Sequence, residues 1–361
     1  MACWISVDRI SVDSNDPNAV LQYFSIERKD YIIQQISQGY INDTYALLFD
    51  GFPCYILQRL NAQVFSNIDV LMQNIHCALP YLNDKNYHQI SLIRTIDDKP
   101  YLKINKSDCW RMFTMVPDSV AFNTTQDGVI AVEAGKIIGK FHSLLQEAPL
   151  DIFKDTISGF HDLTFRAKQF EEALGSATPD KLKEAEEAIL FVKMTLEELR
   201  FYDPGNLPLR ICHNDTKLNN ILFDKEDNRA LCLIDLDTVM LGYFHYDFGD
   251  AVRTIVNTES EDEKDLSKIT FNKELFEAFI DGLSKNSDFL TKAEIQHLPF
   301  GVKLMPFIHG IRALTDYLKG NVYYKVTYET QNLDRCLSLF AFTKKAAEHM
   351  DYMQEVIIKK F

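Results

Sequence analysis

The sequence contains no C-x-x-C pair: its seven cysteines, at 3, 54, 77, 109, 212, 232 and 336, are odd in number and widely scattered. That excludes a disulfide framework and suits a reducing compartment. No run of eighteen uncharged apolar residues occurs, and the opening segment MACWISVDRISVDSND lacks a basic stretch followed by an apolar one. The expectation is a soluble, cytoplasmic protein with no membrane partner. Basic charge is also short, 38 Lys and Arg against 52 Asp and Glu, a net charge of −14. Such a surface repels a phosphate backbone, which argues against nucleic acid as a partner. Repeats and low-complexity tracts are absent, so organisation has to be read from periodicity.

What is present is an ordinary globular composition, 46 % apolar and 25 % charged, in a chain of 361 residues. That length suits two lobes. The first hundred residues favour strands: Tyr31 to Ile36, then Tyr45 to Phe49 and Tyr55 to Leu60 around an Asp50-Gly51 turn. A helix is expected from Asn67 to Ile75, followed by strands at Ile90 to Ile96, Tyr101 to Ile104 and Trp110 to Val116. Pro117 marks a connection between lobes. From Ile130 onward the apolar spacing turns helical. Residues 180 to 201 read as one helix with Asp180 as N-cap, and Lys273 to Leu283 and Leu337 to Val356 as further helices. Ile221 to Phe223 and Leu231 to Ile234 form a second small hairpin. The expected architecture is α+β and two-lobed: a small β-rich N-lobe over residues 1–116, and a larger, mainly helical C-lobe over 117–361, with a ligand cleft between them.

The chemistry concentrates in Ile211-Cys212-His213-Asn214-Asp215-Thr216-Lys217-Leu218-Asn219-Asn220 and in Asp235 after the following hairpin. H-x-D-x-x-x-x-N with an aspartate beyond the next hairpin is a phosphoryl-transfer layout. Asp215 is placed as base for an attacking hydroxyl, and Asn220 and Asp235 as oxygen ligands for magnesium beside ATP. Lys217 is placed to meet the γ-phosphate as a point charge. A lone His-x-Asp is usually a turn, and an Asp after a strand is usually an N-cap. Neither of those explanations requires this order and spacing. His213 reads as structural, holding the loop.

In the N-lobe, Gln38-Gly39-Tyr40-Ile41-Asn42-Asp43-Thr44 sits where a phosphate-covering loop belongs, with Gly39, Asn42 and Thr44 as nucleotide contacts. It lacks the full G-x-G-x-x-G, and a plain hairpin turn looks much the same. Arg59 on the next strand is the candidate cation for the α- and β-phosphates. The following helix offers it Asp69 and Gln73 but no glutamate.

These residues resemble the aminoglycoside phosphotransferase and choline kinase superfamily, which has the protein-kinase-like two-lobed fold. Several segments look most like N-acetylhexosamine 1-kinases: INDTY (41–45), YILQRLN (55–61), TISGFHD (156–162), HNDTKLNN (213–220), IDLDTVM (234–240), YDFGDAVR (246–253) and TDYLKGNVYYK (315–325). The resemblance implies ATP- and magnesium-dependent transfer to the anomeric hydroxyl of N-acetylglucosamine or N-acetylgalactosamine. By the same analogy Arg312, Asp316 and Tyr323 belong to the sugar pocket. Leu241 and Gln73 depart from the pattern, where relatives commonly have proline and an acid. The alternatives are a kinase of choline, an aminoglycoside or another small alcohol or amine, and an inert nucleotide-binding scaffold. An aminoglycoside favours clustered carboxylates such as 259–265 (ESEDEKD), which otherwise reads as a solvated loop and helix start. Asp247-Phe248-Gly249 spells D-F-G, but no A-P-E follows it.

Overall fold

The computed structural model describes residues 16–27, 30–36, 41–65 and 67–361. The β-branched and aromatic runs near the start form Ile32–Ile36 (β1), Asp43–Phe49 (β2) and Phe52–Asn61 (β3), paired antiparallel. Asp50 and Gly51 turn between β2 and β3 with φ of 51° and 83°, the left-handed conformation that an Asp-Gly pair adopts at low cost. Leu102–Lys103 (β4) and Asp108–Thr114 (β5) complete a sheet in the order β1-β2-β3-β5-β4.

The run 90–96, expected as a strand, makes only isolated bridges, Leu92 to Phe113 and Thr95 to Phe24. Its backbone hydrogen bonds are divided: Ile93 N–H goes to Met112 on β5, whereas Ile96 N–H goes to Tyr23 on another segment. That division prevents a continuous ladder.

Both faces of the sheet are covered. Pro17–Leu21 (α1) is capped by Asp16 and puts Val20 and Leu21, with Phe24, against Leu47, Leu57, Trp110 and Met112. Ile68–Ala78 (α2), capped by Asn67, joins Leu60 and Cys109 of the other face to the main core of the larger lobe.

Beyond Thr114 the chain enters that lobe. It contains Ser119–Val120 (β6), Arg210–Cys212 (β7), Ile221–Asp224 (β8), Ala230–Leu233 (β9) and Met240–Gly242 (β10). These pair as β6-β8-β9 and β7-β10. The helices are Gly128–Leu145 (α3), Leu163–Ser176 (α4), Pro179–Glu184 (α5), Glu186–Glu198 (α6), Phe244–Ile255 (α7), Lys273–Leu283 (α8), Lys292–Leu318 (α9), Gln331–Glu348 (α10) and Met350–Lys360 (α11).

Two expected helices are broken. Residues 180–201 split at Ala185 (φ −94°, ψ 10°), a buried residue drawn into the core. The N-cap is Thr178, not Asp180, because Pro179 starts the helix and the Thr178 side chain accepts from Lys181 N–H. The helix expected over Leu337 to Val356 breaks at His349, whose Nδ1 lies 2.8 Å from the Lys345 carbonyl and whose ring stacks on Phe271.

α7 and α9 cross in backbone contact at two glycines. A Cβ on Gly249 would lie 2.0 Å from the Gly301 oxygen, and one on Gly301 would lie 2.1 Å from the His245 oxygen. The fold is therefore α+β, a sheet-based N-lobe beside a helical C-lobe. Among the described residues no helix is long and apolar enough to cross a membrane.

Candidate active site

The segment 213–220 joins β7 to β8, and the structure holds it from several sides. Asp247 on α7 accepts from His213 N–H (2.7 Å) and Asn214 N–H (2.6 Å), and its carboxylate also meets His142 Nε2 at 2.8 Å. The Thr216 hydroxyl donates to the Asp247 carbonyl at 2.5 Å, and Leu218 N–H donates to Thr254 Oγ1 at 2.9 Å. Asn214 adopts φ 62°, a conformation asparagine tolerates, and its amide donates to the Thr238 carbonyl at 3.0 Å. His213 is buried, with Nε2 at 2.8 Å from the Ile234 carbonyl, a loop-holding position. His142, Cys212 and Asp247 lie close enough to suggest a metal site. However, burial pushes the Cys212 thiol well up, so it is not a thiolate, and Asp247 is committed to the loop.

This scaffold brings the anticipated residues to one point. Lys217 Nζ lies 2.8 Å from Asp215 Oδ2, and Asn220 Nδ2 lies 2.9 Å from the same oxygen and 2.8 Å from the Asp215 carbonyl. No described residue bonds Asp215 Oδ1. With its nitrogen on Asp215, Asn220 turns its amide oxygen the other way. Ile234 N–H donates to the Asn220 carbonyl at 2.8 Å, which ties Asp235 to the same strand start.

Asp235 takes a left-handed conformation (φ 61°, ψ 55°), and no described side chain or N–H donates to its carboxylate. Enclosure by the cleft walls, then the neighbouring Asp237 and Asp215, raise its pKa against the pull of Lys217, although its oxygens still reach solvent. Burial opposes the Lys217 ammonium, but Asp215 and Asp235 outweigh it and hold its pKa above the usual lysine value. An unpartnered carboxylate and an amide oxygen beside further negative charge form a hard-oxygen set suited to a divalent cation.

The N-lobe departs from expectation. Arg59 pairs across the sheet with Trp110, so it lies on the α1 face, and its guanidinium ion-pairs with Asp108. The face turned toward the C-lobe carries Gln58 and, opposite it, Arg111. Arg111 is 1 % exposed, donates from Nε to Gln58 Oε1 at 3.0 Å, and ion-pairs with Asp237. Asn42 donates to the same Asp237 at 2.7 Å, and Thr44 accepts from Gln58 at 3.2 Å. Asn42 and Thr44 thus belong to a network ending two residues from Asp235. Gly39 lies outside the described residues.

On the C-lobe side, Arg312 stacks over Phe160 at 4.5 Å, and its charge lies close to Tyr323. Phe160 adjoins His161, whose Nε2 lies 3.0 Å from the carbonyl of Asn214, the residue before Asp215. Arg166 donates to the Phe160 carbonyl at 3.1 and 2.9 Å. Asp316, expected to contact a sugar, is committed to its own loop. It accepts from Val322, Tyr323 and Tyr324 N–H (2.9, 2.7 and 3.0 Å) and from Asn332 Nδ2 (2.9 Å). Its work is to fix the turn that presents Tyr323. The acidic run 259–265 is partly internal, with Glu261 bridging Arg253 and Arg335.

Sequence reasoning missed Arg111, Asp247, His161 and Arg166. Only Arg111 carried a signal, as the lone charge inside the strand WRMFTMV.

Comparison with solved structures places the fold among kinases of small molecules. An aminopropanol kinase associated with a microcompartment superposes with a TM-score of 0.61 at 17 % identity, over 93 % of this chain and 97 % of that one. An amicoumacin kinase in complex with AMP-PNP and Ca2+ gives 0.58 at 14 %, over 93 % and 94 %. A choline kinase from Cryptosporidium parvum gives 0.55 at 14 %, again over 93 % and 94 %. The profile of the phosphotransferase enzyme family matches residues 32–281, well over half of the chain. With that match and this loop geometry, the chain belongs to the phosphotransferase enzyme family.

Proposed function

We propose that this protein transfers the γ-phosphoryl group of ATP to the anomeric hydroxyl of an N-acetylhexosamine. The observation that carries the reading is the meeting of Asp215, Lys217, Asn220 and Asp235 at one end of the cleft. Asp215 Oδ2 is taken by Lys217 and Asn220, so Oδ1 is the atom that accepts the proton of the incoming hydroxyl. The hydroxyl oxygen forms its bond to the γ-phosphorus as the bond to the bridging oxygen of ADP breaks, and the proton passes to Asp215. Lys217 neutralises charge on the moving phosphoryl group. Asn220 and Asp235 would hold Mg2+, which would supply charge neutralisation for the phosphates. Arg111 is a buried cation on the cleft face of the sheet.

On the acceptor side, Arg312, held over the buried Phe160 ring, and Tyr323 offer donors for hydroxyl and acetamido oxygens. The segments shared with N-acetylhexosamine 1-kinases favour that acceptor. The test is ATP consumption with magnesium across N-acetylhexosamines, hexoses, choline, ethanolamine and aminoglycosides, with NMR of the product. Phosphate on the anomeric oxygen of an N-acetylhexosamine is the expected result. Turnover of an amine alone would overturn the reading.

A further inference from the structure

Every described arginine has a carboxylate within ion-pair distance except two. Arg59, Arg94, Arg111, Arg200, Arg210, Arg229, Arg253 and Arg335 each pair with Asp or Glu; Arg166 and Arg312 do not. In a chain of net charge −14 carboxylates are plentiful, so this is no shortage of partners. The two unpaired guanidiniums are neighbours, meeting at Phe160. Arg312 lies over its ring, and Arg166, 9 % exposed, is anchored to its carbonyl and to Gln169 Oε1 at 2.7 Å. Burial, then the charge of Arg312, lower the Arg166 pKa to about 10.

The pair sits on the acceptor side, since His161 links Phe160 to the Asn214-Asp215 peptide. Carboxylates nearby are engaged elsewhere. Asp250 holds Arg253 Nε at 2.8 Å and His309 Nε2 at 2.9 Å. Asp162 caps α4 through Phe165 N–H at 3.0 Å, and Asp316 fixes its loop. No described carboxylate lies within ion-pair distance of either guanidinium, so this wall of the acceptor side carries positive charge that the protein leaves unbalanced.

We propose that Arg166 and Arg312 act together as a charge filter, so that this enzyme phosphorylates acceptors without a cationic group and rejects those bearing a protonated amine or quaternary ammonium. The proposal rests on the acceptor docking beside Asp215, as in the reading above, but it does not require that acceptor to be an N-acetylhexosamine. It separates this chain by its own residues from the amine acceptors named for its structural neighbours. A like charge about 6 Å away near a protein surface is worth about 100-fold in an equilibrium constant.

The experiment measures kcat/KM of the full chain with Mg-ATP for paired acceptors that differ in charge: N-acetylglucosamine against glucosamine, and glycerol against ethanolamine and choline. In the unmodified protein at pH 7 glycerol is expected to win over ethanolamine and choline by about 100-fold, and N-acetylglucosamine over glucosamine by less, because part of the glucosamine amine is neutral at that pH. The glucosamine deficit should shrink as its amine deprotonates at higher pH. Arg312→Gln should reduce the ratio by about tenfold or more, whatever it does to the individual constants, and Arg312→Lys should preserve it. Cationic acceptors used as well as neutral ones, or a ratio unmoved in Arg312→Gln, overturn the filter. The pH series stands even if a variant fails to fold. A neutral acceptor other than an N-acetylhexosamine, preferred over its amine counterpart, keeps the filter and overturns only the sugar assignment. A panel in which nothing is phosphorylated counts against both.

Discussion

The Arg111 guanidinium ion-pairs with Asp237 across the junction of the two lobes, both side chains being almost fully buried. Removing one partner of such a pair strands the other charge. Arg111→Met is therefore expected to cost about 3–5 kcal/mol in urea unfolding and to raise the KM for ATP, whereas Arg111→Lys retains the charge and loses less. Arg59→Gln, on the other face and 28 % exposed, keeps an N–H donor beside the buried Asp108 and is expected to cost about 1–3 kcal/mol while leaving the KM for ATP unchanged. A reversed ranking of the two arginines in nucleotide titrations would restore Arg59 to the nucleotide site.

Asp215→Asn keeps the shape of the loop and removes the proton acceptor. Turnover should fall about 100- to 10,000-fold while nucleotide affinity, measured by calorimetry, stays within about twofold. Undiminished turnover would remove Asp215 from the chemistry.

Asp247→Asn tests the brace from a distance. One carboxylate oxygen becomes an amide that cannot accept from both backbone N–H groups and meet His142 at once. The expected cost is about 1–3 kcal/mol of stability, with kcat reduced more than either KM. Equal loss of binding and turnover would mean that the brace shapes the whole cleft and not this loop.

Stability should decline on mild acidification. Burial holds His161 well below its ordinary value, His245 at about 3 and His309 at about 4. These rings are neutral in the folded state and take protons in the unfolded one below about pH 6.5, so their contribution is complete above that value and is lost as pH falls toward the folded pKa. Each contributes up to roughly 1.4 kcal/mol per pH unit in that window. Asp235, whose pKa is raised, works the other way, but its exposure to solvent makes it offset less than one of the three. Urea midpoints between pH 7 and 5 check the sign; a flat profile would mean that the rings are solvated.

Much of this was legible in the sequence because it is local. Asp-Gly between two alternating runs demands a hairpin, and the intervals from His213 to Asn220 and on to Asp235 place three polar groups around one short β-hairpin. What was not legible depends on which way a strand faces. Gln58 and Arg59 are adjacent, so they point to opposite sides of β3, and both sides are buried, one under α1 and the other against α2 and the C-lobe. No alternation of polar and apolar residues marks the cleft side, so the sequence puts Arg59 forward and gives no sign that Arg111 is the strand partner of Gln58. Asp247 was hidden differently. It acts through space from a helix, within a tripeptide that spells another family's metal motif. Asp316 enters the sugar pocket only through the resemblance, and its oxygens accept from that loop's own N–H groups and from Asn332. The helix breaks at Ala185 and His349 come from packing and a side-chain hydrogen bond, and neither leaves a glycine or proline to read.

The glycine contact between α7 and α9 has a mechanical result. One helix carries the brace of the Asp215 loop and the other carries Arg312, and their backbones touch where a single methyl group would not fit. Neither can slide past the other, so the distance from proton acceptor to charged wall is set once, as in a machined jig. The five-stranded sheet is fastened to the same frame by the chain crossing after Thr114 and by the Arg111–Asp237 pair.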